Sequence, residues 1–407
     1  MIMGTYSILG KPRHYAWGGM NFIPSLVGVK NTDSKPFAEW WLGAHPDDSS
    51  LVEVNGEQEP LLEWLKSNQQ AQAQEERQGE FPLPFLMKIL DVNQMLAIQV
   101  HPTKAQAEEG FERQDKLGIA RTASERTYRD RNDKPEMMVA LTPCWLAHGF
   151  MAAETIINRF SVYSSFGQLC DQLRLFGVQA AFELLMRMPQ SEINMLLGEI
   201  IDTHQERYTR GHICQQQPEY WACRAVLMHR SGYDRGLVAM FMMNIVHVPV
   251  GKGIYQSAGI PHAYLAGQNI EIMSNSDNVV RIGPTKLHVD LDEVHRLIDY
   301  CEVAPKLLSP TEIEGEVNIR RYPHGGTKAF NLSQLMLNDE NTEVEYQSSY
   351  LSMIFVAQER LSVSSEGDLK KYGQGETFII PANTKVLLSS TNCVGYIASY
   401  GAKNANY

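Results

Sequence analysis

Short apolar runs, each bounded by Gly, Pro, Asn or Asp, follow one another along most of this chain, and this pattern limits the possible folds more than any other feature. Leu51–Val54 leads into Asn55-Gly56, which predicts a strand that enters a hairpin turn. In this first part, strands are also predicted at 85–90 and 96–101, and helices at 61–78 and 103–117. Many short strands with such turns favour a jelly-roll barrel over a βαβ fold.

A segment of different character interrupts these strands. Residues 151–230 show helical periodicity at 166–175, 179–187 and 191–207, the last of which begins at Ser191, a favoured N-cap residue. Beyond it, strands are predicted at 237–248, 253–256, 268–273 and 279–282, and residues 327–407 consist of short strands with Gly turns.

Two similar sequence segments suggest a repeated structural unit. Residues 251–262 and 373–382 both contain a Gly turn, a strand and a small residue, which suggests two related barrels. The predicted fold is mainly β with a helical insert, namely two jelly-roll barrels plus an all-α domain. The predicted domains are 1–150 with 237–320 as one discontinuous unit, 151–236 as the inserted helical domain, and 321–407 as the C-terminal barrel.

The charge balance narrows the function. With 36 Lys and Arg against 47 Asp and Glu, the net charge is −11, so neither nucleic acid nor an anionic membrane is expected as a partner. The six cysteines lie far apart, as in a reduced cytoplasmic protein. Residues 1–17 lack the apolar core of a signal peptide, and the longest apolar run, 237–250, is too short to span a bilayer. We expect a soluble cytoplasmic monomer that acts on a small molecule.

One set of residues suggests a metal site. Gln99 and His101 are two residues apart on a predicted strand, so both face the same side, as do Lys134 and Glu136. His262 follows a Gly-Pro turn at another strand end. Two histidines, a carboxylate and an amide oxygen suit a divalent ion. Taken singly, each is more simply explained as a hydrogen-bonded core or surface group, and only the combination favours metal binding.

Several motifs together resemble the type I mannose-6-phosphate isomerase family. They are Tyr15-Ala16-Trp17-Gly18, Gly43-Ala44-His45-Pro46, Ile98-Gln99-Val100-His101-Pro102, Lys134-Pro135-Glu136-Met137, Pro261-His262-Ala263-Tyr264-Leu265 and Ser276-Asp277-Asn278-Val279-Val280-Arg281. The resemblance implies a cupin-type catalytic domain with one zinc ion per chain, an inserted helical domain and a second cupin-like domain. It assigns the metal to Gln99, His101, Glu136 and His262, and substrate contacts to Lys88, Trp17 and Asp277.

The implied reaction interconverts mannose 6-phosphate and fructose 6-phosphate by proton transfer through an enediolate. Arg281 corresponds to the active-site arginine of the family and would stabilise the developing negative charge. The group that carries the proton is either Lys134 or Glu271, and a salt bridge between Lys134 and Glu136 is an equally good explanation for that lysine.

Three positions depart from the family pattern on the phosphate side. Ala97 replaces a serine, Asp133 replaces a histidine, and Lys286 is shifted by one residue, which on a strand-like rim turns a side chain to the other face. An unphosphorylated or differently substituted sugar is therefore an alternative substrate. A cupin oxygenase and a non-catalytic sugar-binding regulator are less favoured alternatives.

Overall fold

The structure, a computed structural model, describes residues 4–68, 82–313 and 316–401. Within these residues the strands form three sheets, of ten, nine and four strands, and the longest helices lie between residues 153 and 239. The chain is therefore mainly β with a helical segment, as the sequence predicts. None of the helices in the described ranges is both long and apolar enough to cross a membrane.

The ten-stranded sheet is organised around one long strand. Its strands are β2 (Lys11–Arg13), β3 (Glu39–Leu42), β6 (Phe85–Val92), β7 (Ile98–Val100), β8 (Glu136–Ala140), β9 (Cys144–Phe150), β10 (Met243–Val248), β11 (Gly253–Gln256), β12 (His262–Ser274) and β13 (Val280–Gly283). The first part of β12 pairs with β7 and β9, and its second part pairs with β6 and β8. This single strand therefore brings residues from distant parts of the chain together.

The two other sheets join the ends of the chain. The nine-stranded sheet contains β1 (Tyr6–Leu9), β4 (Leu51–Val54), β5 (Glu57–Pro60), β14 (Thr311–Ile313), β15 (Glu316–Arg321), β16 (Asn331–Leu337), β18 (Ser352–Glu359), β21 (Thr377–Ile380) and β23 (Cys393–Ser399). The four-stranded sheet contains β17 (Glu343–Ser348), β19 (Leu361–Ser365), β20 (Asp368–Tyr372) and β22 (Thr384–Ser389). Because β1 pairs with β21, strands from the first 60 residues extend the C-terminal sheet.

The helical segment covers one face of the ten-stranded sheet. Its helices are α4 (Ala153–Phe160), α5 (Gly167–Arg187), α6 (Gln190–Thr209), α7 (Pro218–Cys223) and α8 (Arg235–Ala239). Their buried apolar side chains form one cluster with Ile98, Ala147, Ala263 and Val280 of four neighbouring strands. Since side chains alternate along a strand, the residues next to these in sequence face away from the helices. The helices thus hold the strands that bear the candidate site.

The helix predictions are largely confirmed. The remaining helices are α1 (Phe22–Leu26), α2 (Leu61–Ser67), α3 (Lys104–Lys116) and α9 (Leu291–Leu297). The predicted helix at 103–117 is α3, which begins with a capping box between Thr103 and Gln106. The prediction at 61–78 holds as far as Ser67, and its part from residue 69 onwards lies outside the described residues.

The predicted strand at 237–248 is wrong in its first half, where α8 and a 3₁₀ turn precede β10. The side chain of Asp234 accepts a hydrogen bond from the N–H of Gly236 and so starts the helix. Gly236 also lies against the backbone of Gly283, where a Cβ atom would clash with the carbonyl carbon. An apolar run alone does not distinguish a buried helix from a buried strand.

Candidate active site

Four side chains form a row across the ten-stranded sheet. His262 on β12 lies directly opposite His148 on β9 and Gln99 on β7, and Gln99 in turn lies opposite Arg281 on β13. Directly opposed residues of antiparallel strands point to the same face. Because the residue after His262, Ala263, packs under the helices, the row faces the opposite side of the sheet.

Three fully buried residues converge on this face. The ligand atoms of His101, Glu136 and His262 all lie within 4.8 Å of one another. Nε2 of His101 is 3.3 Å from Oε1 of Glu136, and Nε2 of His262 is 3.3 Å from Oε2 of the same carboxylate. The structure thus brings together three of the four predicted metal ligands. The fourth, Gln99, lies beside His262 in the strand register and is partly exposed.

The hydrogen bonds of the two imidazoles determine which nitrogen is free. Nδ1 of His101 lies 2.9 Å from the carbonyl oxygen of Asn278, and Nδ1 of His262 lies 2.9 Å from that of Ile260. Since a carbonyl only accepts, each Nδ1 bears the proton and each Nε2 offers a lone pair. Both Nε2 atoms and Oε2 of Glu136 are buried without a hydrogen-bond partner among the described residues. Such unpaired donor atoms fit a divalent metal ion.

The electrostatics favour the ligating forms of these side chains. Burial lowers the pKa of His101 to about 4, so its imidazole is neutral near pH 7. The pKa of Glu136 lies well below its ordinary range despite burial; with His101 neutral, the positive charge of Lys134 at 3.2 Å is what stabilises the ionised carboxylate. Metal ligands must be deprotonated, and both groups are.

Asn278 links the candidate metal site to a neighbouring loop. Its carbonyl orients the His101 ring, while its side chain accepts from the backbone N–H of Arg129 at 2.8 Å and donates to the carbonyl of Asp130 at 2.9 Å. One buried amide therefore connects the loop that precedes Lys134 to a metal-ligand candidate. The motif around Asn278 contributed to the family resemblance, but nothing in the sequence indicated this supporting role.

Two buried ion pairs lie next to the candidate ligands. Nζ of Lys134 is 3.2 Å from Oε1 of Glu136, and Nζ of Lys88 is 3.0 Å from Oε2 of Glu271, the residue opposite it on β12. The hydroxyl group of Tyr264 donates to Oε1 of Glu271 at 2.9 Å. Burial raises the pKa of Glu271 despite the opposing charge of Lys88. Burial alone would lower the pKa of Lys88, but Glu271 and other nearby carboxylates raise it.

The remaining candidates lie at the partly exposed rim. The ring of Trp17 stacks on Tyr15 with centroids 5.9 Å apart; Tyr15 is exposed, and Trp17 is partly buried. Asp277 lies 3.4 Å from the buried His45; burial would raise the pKa of Asp277, but this contact holds it at about 2. Arg281 is partly exposed and forms no ion pair with any described residue.

The three positions that depart from the family pattern, Ala97, Asp133 and Lys286, lie in different environments. Asp133 lies near Lys104 and Tyr255, and burial raises its pKa. Tyr255 precedes Gln256 on β11 and so points to the opposite face of that strand, away from the candidate metal site. Lys286 is exposed in the loop after β13, and Ala97 is partly buried just before β7.

Two further buried polar residues near the site were missed in the sequence. Neither ring nitrogen of His148, which is 4% exposed, has a hydrogen-bond partner among the described residues, and burial lowers its pKa to about 4. Gln256 is completely buried opposite Glu136. A histidine and a glutamine at core-facing strand positions were the available signal, since unpaired polar groups rarely occupy such positions without a purpose.

Comparison with known proteins agrees with this arrangement. Residues 7–152 match the family described as phosphomannose isomerase type I, catalytic domain. The chain is 34% identical to mannose-6-phosphate isomerase from Salmonella typhimurium over 296 residues, 70% of this chain and 73% of the relative. It is 30% identical to mannose-6-phosphate isomerase from Escherichia coli over 388 residues, 92% of this chain and 94% of the relative.

Solved structures extend the similarity to the whole fold. A mutant of phosphomannose isomerase from Salmonella typhimurium superimposes with a TM-score of 0.87 at 27% identity, covering 97% of this chain and 99% of that one. The mannose 6-phosphate isomerase from the same organism, bound to fructose 6-phosphate and zinc, gives a TM-score of 0.84 at 28% identity with the same coverage.

Proposed function

Because the chain belongs to the type I mannose-6-phosphate isomerase family, we propose that it interconverts mannose 6-phosphate and fructose 6-phosphate as a metal-dependent aldose–ketose isomerase. One observation supports this most: the unpaired Nε2 atoms of His101 and His262 face the buried carboxylate of Glu136, close to a second buried carboxylate, Glu271. A metal site beside a candidate base suits removal of a proton from the carbon next to a carbonyl.

The metal is proposed to be zinc, held by His101, Glu136 and His262, with Gln99 as the fourth ligand. The nitrogen and oxygen donors suit zinc, and the relatives include zinc-bound structures. When bound, zinc supplies a Lewis acid that stabilises negative charge on substrate oxygens. Of the proposed ligands, His101 is neutral because burial lowers its pKa, and Glu136 is anionic because its pKa lies below its ordinary range.

For the proton-transfer step, we favour Glu271 over Lys134 as the base. The side chain of Lys134 forms an ion pair with Glu136 at 3.2 Å, so its contact is with a proposed metal ligand. Glu271 is a buried carboxylate whose raised pKa increases its basicity. Lys88, predicted to bind substrate, has one contact to Glu271 and keeps further N–H donors for the sugar.

Arg281 is proposed to stabilise the enediolate, with Trp17 and Asp277 as substrate contacts at the rim. We expect Arg281→Lys to lower kcat by roughly 10- to 100-fold with little change in KM, because a lysine keeps the charge but loses the two-pronged contact with oxygen atoms. Steady-state kinetics on both sugar phosphates measures this split. A change confined to KM would instead assign Arg281 to uniform substrate binding.

The substrate is tested by comparing kcat/KM for mannose 6-phosphate with that for free mannose and related aldoses. We expect the phosphorylated sugar to be favoured by at least about 100-fold, because each charged hydrogen bond to phosphate contributes about 1.5–3 kcal/mol. Lys286, exposed in the loop after β13, is a cation free to contact a phosphate group. A preference for free mannose would overturn the phosphorylated substrate in favour of the alternative suggested by Ala97, and would leave the metal proposal standing.

The finer organisation is proposed on the same grounds. We infer two cupin-like barrels, formed by residues 1–150 with 237–320 and by 321–407, with 151–236 as an inserted all-α domain. Most sheet pairings agree with this division, but β1, β4, β5, β14 and β15 belong to the same sheet as the C-terminal strands. A cytoplasmic location agrees with six unpaired cysteines, and light scattering on the purified protein tests the proposed monomer.

A further inference from the structure

Gln256 is a buried polar residue that the proposed reaction does not yet use. It ends β11 directly opposite Glu136 and is 0% exposed. Its Nε2 donates to the hydroxyl oxygen of Tyr264 at 3.3 Å, whereas its Oε1 has no partner among the described residues. Burying an amide with an unpaired oxygen costs stability that a leucine of similar volume would avoid. Retaining a glutamine here therefore points to a role in the site.

The hydrogen bond from Gln256 restricts the direction in which the hydroxyl group of Tyr264 can donate its own proton. A tyrosine has one O–H proton, and the carboxylate of Glu271 can only accept. Because the Gln256 amide occupies the acceptor side of the Tyr264 oxygen, the proton is directed at Oε1 of Glu271, 2.9 Å away. Without this amide, the hydroxyl group could rotate and accept from another donor.

The second oxygen of Glu271 is held separately by Lys88 at 3.0 Å. The carboxylate is thus fixed at both oxygens. Tyr264 restricts its rotation about the terminal C–C bond only as long as the hydroxyl group donates to it. Without such contacts, the terminal χ3 torsion of a glutamate side chain has a broad distribution. A base must be held in a narrow geometry relative to the proton that it removes.

We propose that Gln256 is a positioning residue for Glu271 and acts through Tyr264. This inference rests on the proposed function, in which Glu271 is the base.

A double-mutant cycle tests this pathway. The variants are Gln256→Leu, Tyr264→Phe and the double mutant, each assayed as the zinc-loaded protein with mannose 6-phosphate. We expect Gln256→Leu to lower kcat by roughly tenfold with KM little changed, and Tyr264→Phe to lower kcat at least as much. In the Tyr264→Phe background, adding Gln256→Leu should change kcat by less than about twofold, because the intermediary is already gone.

The outcomes separate this inference from the function on which it rests. If the single effects multiply in the double mutant, Gln256 acts by another route and the inference is wrong, while the isomerase proposal stands. An unchanged kcat in Gln256→Leu likewise shows that the inference is wrong and leaves the isomerase proposal standing. If the wild-type protein does not isomerise sugar phosphates, the proposed function fails and the inference falls with it. Zinc content and thermal unfolding of every variant show whether a loss reflects metal loss or misfolding.

Discussion

Replacing His101 by alanine is expected to abolish stoichiometric metal binding and, with it, isomerase activity. His101 is fully buried, its ring is fixed by the carbonyl of Asn278, and its Nε2 is one of the unpaired atoms that face Glu136. Loss of a residue that merely supports a ligand already weakens metal binding by about 10- to 100-fold. Loss of the ligand itself should weaken it by more than about 100-fold. Metal analysis after dialysis and competition with a chromogenic chelator measure the effect.

His247→Ala is the matched control. His247 is exposed on β10 and packs against the ring of Trp145, outside the metal-ligand group. We expect this variant to keep one metal ion per chain. If removal of the buried imidazole prevents folding, His101→Asn, which keeps a polar side chain, provides the test with circular dichroism as the folding check. A folded His101 variant with a full complement of metal would disprove the assignment.

Replacing Glu271 by glutamine is expected to lower kcat by about 10²- to 10⁴-fold, the usual contribution of a general base. The amide keeps the size of the side chain and cannot accept a proton at the pH of the reaction. Wash-in of deuterium at carbon 2 of mannose 6-phosphate in D₂O, followed by NMR, reports the proton-transfer step directly. Metal content should be unchanged, because Glu271 lies outside the group formed by His101, Glu136 and His262.

The pH dependence follows from the same residue. Burial raises the pKa of Glu271, and a base works only when ionised. As the pH falls, kcat of the wild-type protein should therefore decline at a higher pH than an ordinary glutamate would cause. Lys134→Met provides the contrast. If that variant loses deuterium exchange while keeping its metal, and Glu271→Gln retains exchange within about tenfold, Lys134 is the base.

Local patterns in the sequence predicted much of the structure. The alternation in Gln99-Val100-His101 predicted both polar side chains on one face, because successive strand residues point in opposite directions whatever the neighbouring strand is; β7 itself ends at Val100, and His101 follows it directly. The helix predicted at 103–117 likewise forms as α3, and its start is stabilised locally, because the hydrogen bonds of the capping box at Thr103 span only three residues. That His101, Glu136 and His262 lie together is a different matter, because they come from three distant segments of the chain.

The sequence alone did not determine which groups meet across strands. The helix at Arg235–Ala239 replaces a predicted strand because of a cap and a backbone contact with Gly283, a residue far along the chain. The pairing of β1 with β21, the ion pair of Lys134 with Glu136, and the positions of His148 and Gln256 also depend on register between distant segments. Periodicity determines the face on which a side chain lies. Its partner is set by strand register, which depends on packing of the whole sheet and is therefore decided only in the tertiary structure.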